Sequence, residues 1–216
     1  FSITVISENL DVNPDLIVGK TATITIKNSA ERKFHGFIKE FIFGEIKSDN
    51  LREYRLQMVP WLWFLSQTND HRIFQEKTTK EIVSQVFSDL GFSDFDFRAA
   101  GGKKREYCVQ HNESDLNFIS RLLEEDGIAY FFQHSDGKHQ LILVDQPNAY
   151  SDVAETNLEY SKGSAPHAQT TGWEHKYNFK KGKWTLNDSN FKEPKKDLIA
   201  TIKTNNASAT NGEFEH

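Results

Sequence analysis

Apolar and polar residues alternate with a period of two where the chain begins. Ser2 and Thr4 separate Phe1, Ile3 and Val5, and Thr23 and Thr25 separate Ala22, Ile24 and Ile26. That spacing puts the apolar side chains on one face of a strand. Residues 34–46 form a longer apolar stretch broken by Gly36 and Gly44, positions that mark bulges or corners as in a small barrel. From Glu53 onward Leu56 and Met58 alternate with Arg55 and Gln57, and then the pattern changes. Trp61, Trp63 and Leu65 occupy one face of an extended chain, and Leu62 and Phe64 the other. A strand apolar on both sides has to be covered on both sides. The cover is either the rest of the fold or another subunit, so Trp61 and Trp63 are candidate subunit-interface residues. Pro60 suits an edge or a bulge.

The period then lengthens to that of a helix. Thr78 and Glu81 have the spacing of a capping box, and Ile82, Val83, Val86, Phe87 and Leu90 make one stripe. Gly91 provides the stop, with Phe92 folding back on Phe87. A second helix is predicted over about residues 112–126. Asn112 is its N-cap, Asp115 favours the positive end, and Leu116, Ile119, Leu122 and Leu123 are its buried stripe. Gly127 ends it. A hairpin follows, with strands at 128–134 and 140–144 around a Ser-Asp-Gly-Lys turn. Residues 146–170 have weak periodicity and read as a long loop. Residues 173–186 return to β with a turn at 181–183, and 205–212 have linker composition.

These elements predict an α+β, mainly β protein with two small β-barrel-like units and an inserted helix and hairpin region. The division is 1–66 for the first β unit, 67–145 for the helices and hairpin, 146–204 for the second β unit and 205–216 for a linker. Hydrophobic residues are only 37% of the chain, but 17 Phe, 6 Tyr and 4 Trp supply a core suited to β-structure. The chain begins inside a strand-like pattern and stops after a polar tail, so it reads as part of a longer protein.

Charge and candidate chemistry narrow the function. Lys and Arg number 26 against 31 Asp and Glu, a net charge of −5. That balance argues against nucleic acid, which selects basic stripes; the basic runs at 103–105 and 180–183 read as solvated turns. No apolar run approaches the roughly 18 residues that span a bilayer, so stable membrane insertion is not expected, and no signal peptide is visible. The lone Cys108 allows no intrachain disulfide and reads as a small buried apolar residue. Glu124, Glu125 and Asp126 are consecutive. On a helix they point about 100° apart, so they do not face one another as paired catalytic acids do. Arg121 lies one turn earlier and is their expected ion-pair partner. A cell-wall hydrolase would instead need this cluster exposed in a cleft. His134 and His139 flank the hairpin turn without metal-ligand spacing and read as hairpin-edge polar residues. No nucleophile-elbow, P-loop or dinucleotide motif occurs. Neither a cofactor nor a metal nor an enzymatic activity is expected.

Residues 109–134 carry a more specific message. Gln110, Glu113, Ser114, Asp115, Leu116, Phe118, Arg121, Leu122, Glu124, Gly127, Tyr130 and Phe132 resemble the signature of the VgrG family, the spike proteins of type VI secretion. Residues 54–60, 72–75 and 188–198, the last with Phe191 and Pro194, resemble further family segments, and the resemblance is weakest over 146–170. His111 stands where the family often has Tyr, which makes a pH-sensitive contact conceivable. The resemblance implies a fold similar to the baseplate hub of contractile phage tails. It implies a homotrimer whose pseudo-sixfold ring matches a hexameric tube protein of the Hcp kind. It also implies effector or tip proteins held through later parts of the full-length protein, and assembly in the bacterial cytoplasm before translocation. A contractile-phage tail hub is the neighbouring alternative, and the cell-wall hydrolase the alternative from another class.

Overall fold

The computed structural model describes residues 1–27, 31–47, 49–150, 159–160, 169–170, 172–176, 178–179 and 181–203. The expected linker at 205–216 and most of the expected loop at 146–170 lie outside the described residues. The chain divides into two units, the first over residues 1–159 with 164–169, the second over 160–163 and from 170 onward. The fold class is as expected, α+β and mainly β.

The first unit opens with an antiparallel sheet of β1 (Ser2–Ser7), β2 (Thr21–Lys27), β3 (Glu31–Ile46) and β4 (Arg52–Val59), in the order β1-β4-β3-β2. Pairing puts Ile3, Val5, Ile24, Ile38, Phe41, Phe43, Tyr54, Leu56 and Met58 on one face. The apolar phase of β3 switches from even to odd numbers between Ile38 and Phe41. A register shift between Ile38 and Glu40 absorbs the switch. Without that bulge Phe41 and Phe43 would turn to the polar face. Instead the Phe41 ring stacks on Tyr54 at 5.1 Å. Gly44 lies in a second shift, between Phe43 and Ile46, whereas Gly36 sits in regular pairing with Ala22.

The apolar run after Pro60 is not a strand. Trp61–Ser66 is a 3-10 helix with Pro60 as N-cap. At about three residues per turn it buries Trp61, Leu62 and Leu65 in the unit's own core and leaves Trp63 and Phe64 half-buried. A short continuous apolar run fits either element, and periodicity alone does not separate them. The Trp61 ring packs inside the unit, stacked 4.7 Å from Phe92 and edge-on to Phe87 at 4.9 Å.

Next come β5 (Asn69–Lys77), α1 (Thr79–Asp89), β6 (Phe95–Phe97), β7 (Arg105–Ser114), α2 (Asp115–Glu125), β8 (Ala129–Ser135) and β9 (Lys138–Val144). The capping box of α1 forms as expected: Thr78 Oγ1 accepts the Glu81 N–H at 3.3 Å, and Glu81 Oε2 accepts the Thr78 N–H at 2.7 Å. Both helices end in the same motif. The Gly91 and Phe92 amides reach back to Ser88 and Phe87 carbonyls, and the Gly127 and Ile128 amides to Glu124 and Leu123. β5 pairs with β7, and β9 lies between parallel β6 and antiparallel β8. The core joins these elements: Phe74, Val86, Phe87, Phe118, Leu122, Leu141 and Leu143 are buried together with Trp61, Leu62 and Leu65.

In the second unit Lys183–Leu186 pairs antiparallel with Ala200–Lys203, and Thr185 and Thr201 share a hydroxyl hydrogen bond of 3.0 Å.

Candidate functional site

The segment that carries the family resemblance lies on β7, α2 and the start of β8. β7 runs into α2 without a loop. Ser114, the last residue of the strand, is also the helix cap, its Oγ accepting the Asn117 N–H at 3.2 Å. The expected cap, Asn112, instead sits inside β7 with φ +50°. Asn tolerates the left-handed region as well as capping helices, so the residue type at 112 does not by itself separate the two roles.

Asp115 has no exposed surface. Its Oδ1 accepts from Gln110 Nε2 at 2.7 Å and from Arg72 Nη1 at 2.8 Å, and its Oδ2 accepts from Thr68 Oγ1 at 2.5 Å. Gln110, also fully buried, donates to the Glu113 carbonyl at 3.1 Å and accepts from Arg72 at 3.3 Å. The Asp115 amide donates to Thr68 O at 3.0 Å. A buried charge is tolerable only when it is paired and its lone pairs are filled, and this carboxylate meets both conditions. The network fastens the start of α2 to β5 and to the residue before it.

Arg121 does not pair with the acids that follow it. Its guanidinium grips Glu113 at 2.7–3.1 Å and donates to Val109 O at 2.7 Å. It lies 4.9 Å over the Phe118 ring, which is itself stacked on Phe74. The Glu113 bonds hold the Arg121 pKa above its ordinary value. The partner of the acidic run is Arg105, 2.9 Å from Glu125 and 3.4 Å from Asp126, so this residue of the expected solvated turn is mostly buried and engaged. Gly102 takes φ +77°, a conformation that residues with a Cβ rarely adopt, and a Cβ there would also push on Asp126 Oδ2, 2.0 Å away. Glu124 is exposed, and Gly127 takes φ +66° at the helix end. The carboxylates of the expected acid cluster thus diverge, and two of them neutralise one arginine.

Cys108 is buried in β7, and burial pushes its thiol pKa up, away from nucleophilic use. His111 is exposed, its ring 5.1 Å from His71 across the ladder. His139 departs most from expectation. Only 3% of it is exposed, and it bonds to His35, a residue that sequence reasoning did not single out. The two are 104 positions apart, and no local pattern links them. Among the described residues, no three His, Cys, Asp or Glu side chains converge as a metal site, and no helix is long and apolar enough to cross a membrane.

The first unit thus joins an antiparallel sheet to a capped helix pair and hairpin, and its signature residues are spent on packing. The chain belongs to the phage tail baseplate hub (GPD) family, whose model matches residues 1–216. It is 34% identical over 203 residues to the type VI secretion system spike protein VgrG1b of Pseudomonas aeruginosa, a match covering 90% of this chain and 27% of that protein. It is 28% identical over 222 residues to the actin cross-linking toxin VgrG1 of Vibrio cholerae, covering 100% of this chain and 20% of the toxin. The chain spans about a quarter of the length of the curated relatives it matches. An E. coli component of the type VI secretion system, described as structurally similar to the T4 tail proteins gp27 and gp5, superposes with a TM-score of 0.64. That match has 23% identity and covers 74% of this chain and 48% of that one.

Proposed function

We propose that the chain is the base of a type VI secretion spike. Three copies assemble, and their ring seats on a hexameric tube protein of the Hcp kind. Effector or tip proteins attach through parts of the full-length protein outside this stretch. The complex forms in the cytoplasm and is then translocated. The carrying observation is the 34% identity to VgrG1b over 90% of the chain. The reading is supported by where the signature residues go: Gln110, Ser114, Asp115, Phe118 and Arg121 all serve to fasten β7 to α2 and β5. Trp63, half-buried beside the Lys39 ammonium at 5.5 Å, is the remaining candidate of the two tryptophans for subunit contact. In this reading the chain performs no chemistry of its own.

Light scattering on the full-length protein tests it: three chains per particle are expected, and a monomer overturns the reading. A contractile-phage tail hub is the second reading, favoured by the family model itself. Neighbouring genes separate the two, sheath and secretion ATPase genes on one side, capsid genes on the other.

A further inference from the structure

Three imidazoles lie where the first sheet meets the hairpin. His35 of β3 and His139 of β9 are buried, with their Nδ1 atoms 2.8 Å apart. His139 Nε2 accepts the Trp61 amide N–H at 2.9 Å. His134 Nδ1, on β8, accepts the His35 amide N–H at 3.2 Å.

These bonds fix the protons. An imidazole nitrogen that accepts carries no hydrogen, so His139 is bare at Nε2 and, when neutral, protonated at Nδ1. That N–H points at His35, whose Nδ1 is therefore bare and whose hydrogen is on Nε2. His134 is bare at Nδ1 for the same reason. The tautomers of His139 and His35 are dictated in sequence from one backbone amide.

An added proton has nowhere to go without breaking a bond. On His139 Nε2 it would oppose the Trp61 N–H, on His35 Nδ1 the His139 N–H, and on His134 Nδ1 the His35 amide. Reversing the His35–His139 bond moves the His139 hydrogen to Nε2 and loses Trp61. Among the described residues, the nearby carboxylates Asp94 and Asp136 are already paired with lysines. Asp94 holds Lys138 at 2.8 Å, and Asp136 holds Lys33 at 3.0 Å, which also meets Glu31 at 3.3 Å. The Phe1 ammonium donates to Met58 O at 2.7 Å. Rings also flank the site, Phe1 and Phe34 beside His134 and Phe37 and Phe132 beside His139, and the Arg32 guanidinium, 5.5 Å over Phe34, is a cation that cannot stabilise an imidazolium.

We propose that this triad is a proton-operated latch between hairpin β8–β9 and the first sheet, shut while all three rings are neutral and released when the surroundings acidify. Its other polar ties among the described residues are the exposed Lys33–Asp136 pair and the Gly137 N–H to Thr23 Oγ1 bond of 3.2 Å, and exposed pairs hold little; the ring contacts of Phe1, Phe34 and Phe37 do not titrate. Burial lowers all three imidazole pKa values, that of His139 from 6.5 to about 4. Lowered values mean that the folded form binds fewer protons than the open form. The latch is therefore fully effective above the ordinary imidazole range and weakens as pH falls toward 4.

Hydrogen exchange of the whole 216-residue chain at pH 7.5 and pH 5, corrected for intrinsic rates, reads the latch at the β8 and β9 amides. The His139 shift from 6.5 to about 4 predicts about a 30-fold loss of protection at pH 5 from that residue alone. In His139→Gln the amide oxygen accepts from Trp61 and the amide nitrogen donates to His35, with nothing to titrate at that position. Its loss is expected to be about 30-fold smaller than that of the unmodified chain, and equal losses overturn the proposal. Imidazole 15N shifts of the unmodified chain decide independently of any variant. The latch requires His139 at pH 7 to carry its hydrogen on Nδ1, and a hydrogen on Nε2 overturns it.

Discussion

Removing Arg72 isolates a fully buried carboxylate. Asp115 then keeps Gln110 and Thr68 as neutral donors but loses its paired cation, Arg72 Nη1 at 2.8 Å. Breaking a buried pair from one side costs about 3–5 kcal/mol. Arg72 is itself 18% exposed and holds Asp70 at 2.9 Å, which places Arg72→Leu at the lower end, about 3 kcal/mol. Asp115→Asn keeps the shape and removes the charge, leaving Arg72 with Asp70 and solvent, so it should cost about 1–2 kcal/mol. With both changes no unpaired charge is buried, and the double variant should fall short of the two single costs together by about 2 kcal/mol, within the range for residues in one network. Urea unfolding followed at 222 nm measures this, because both long helices belong to the first unit. A coupling below about 0.5 kcal/mol would show that neutral donors hold Asp115 and that Arg72 serves only to cover it.

Four further outcomes follow from the same structure. Ser114→Ala should cost about 1 kcal/mol in the same urea assay, as loss of a helix cap does. Gly102→Ala meets both a positive φ and the Asp126 carboxylate, and should cost about 1–3 kcal/mol. A double-mutant cycle on Arg121 and Glu113 should give up to about 1 kcal/mol, as for partly exposed pairs, and the cycle on Arg121 and Glu125 near zero; the reverse order would restore the pairing expected from helical spacing. With a pKa lowered from 6.5 to about 4, His139 should remove about 3 kcal/mol of stability as pH falls between those values, and a stability flat over that window in thermal melts would contradict the neutral triad.

Local features were legible in the sequence. The α1 capping box, both glycine stops and the hairpin depend on residues within a few positions of one another, and all are present, the hairpin with a tighter turn because Ser135 and Lys138 join the ladder. Pairings across the fold were not legible. Arg121 was matched to the acids three and four residues ahead because helical spacing is visible, whereas its real partner, Glu113, lies on the preceding strand. Arg72 and Asp115 are 43 positions apart, and nothing in either neighbourhood names the other. The stretch 61–65 misled for a different reason: a run apolar at every position has no phase, so it cannot report whether it winds or extends. The β3 bulge is legible, since the apolar phase changes between Ile38 and Phe41; of the two glycines in the strand, Gly44 falls in a register shift and Gly36 does not. At the site, His134 and His139 are visible as hairpin residues, but nothing local links them to His35, 104 positions before His139.

That bulge also says where β3 can change length. Two residues of β3 stand opposite one residue of β4 at this point, so one of them is surplus to the ladder. Deleting Lys39 leaves Ile38 beside Met58 and Glu40 beside Gln57, with Phe41 and Phe43 still on the apolar face. Deleting Glu40 instead puts Lys39 beside Gln57 with the same outcome, whereas deleting Phe41 or Ile42 would turn part of the strand inside out. A family lineage could therefore shorten this strand by one residue at a single place without rebuilding the sheet.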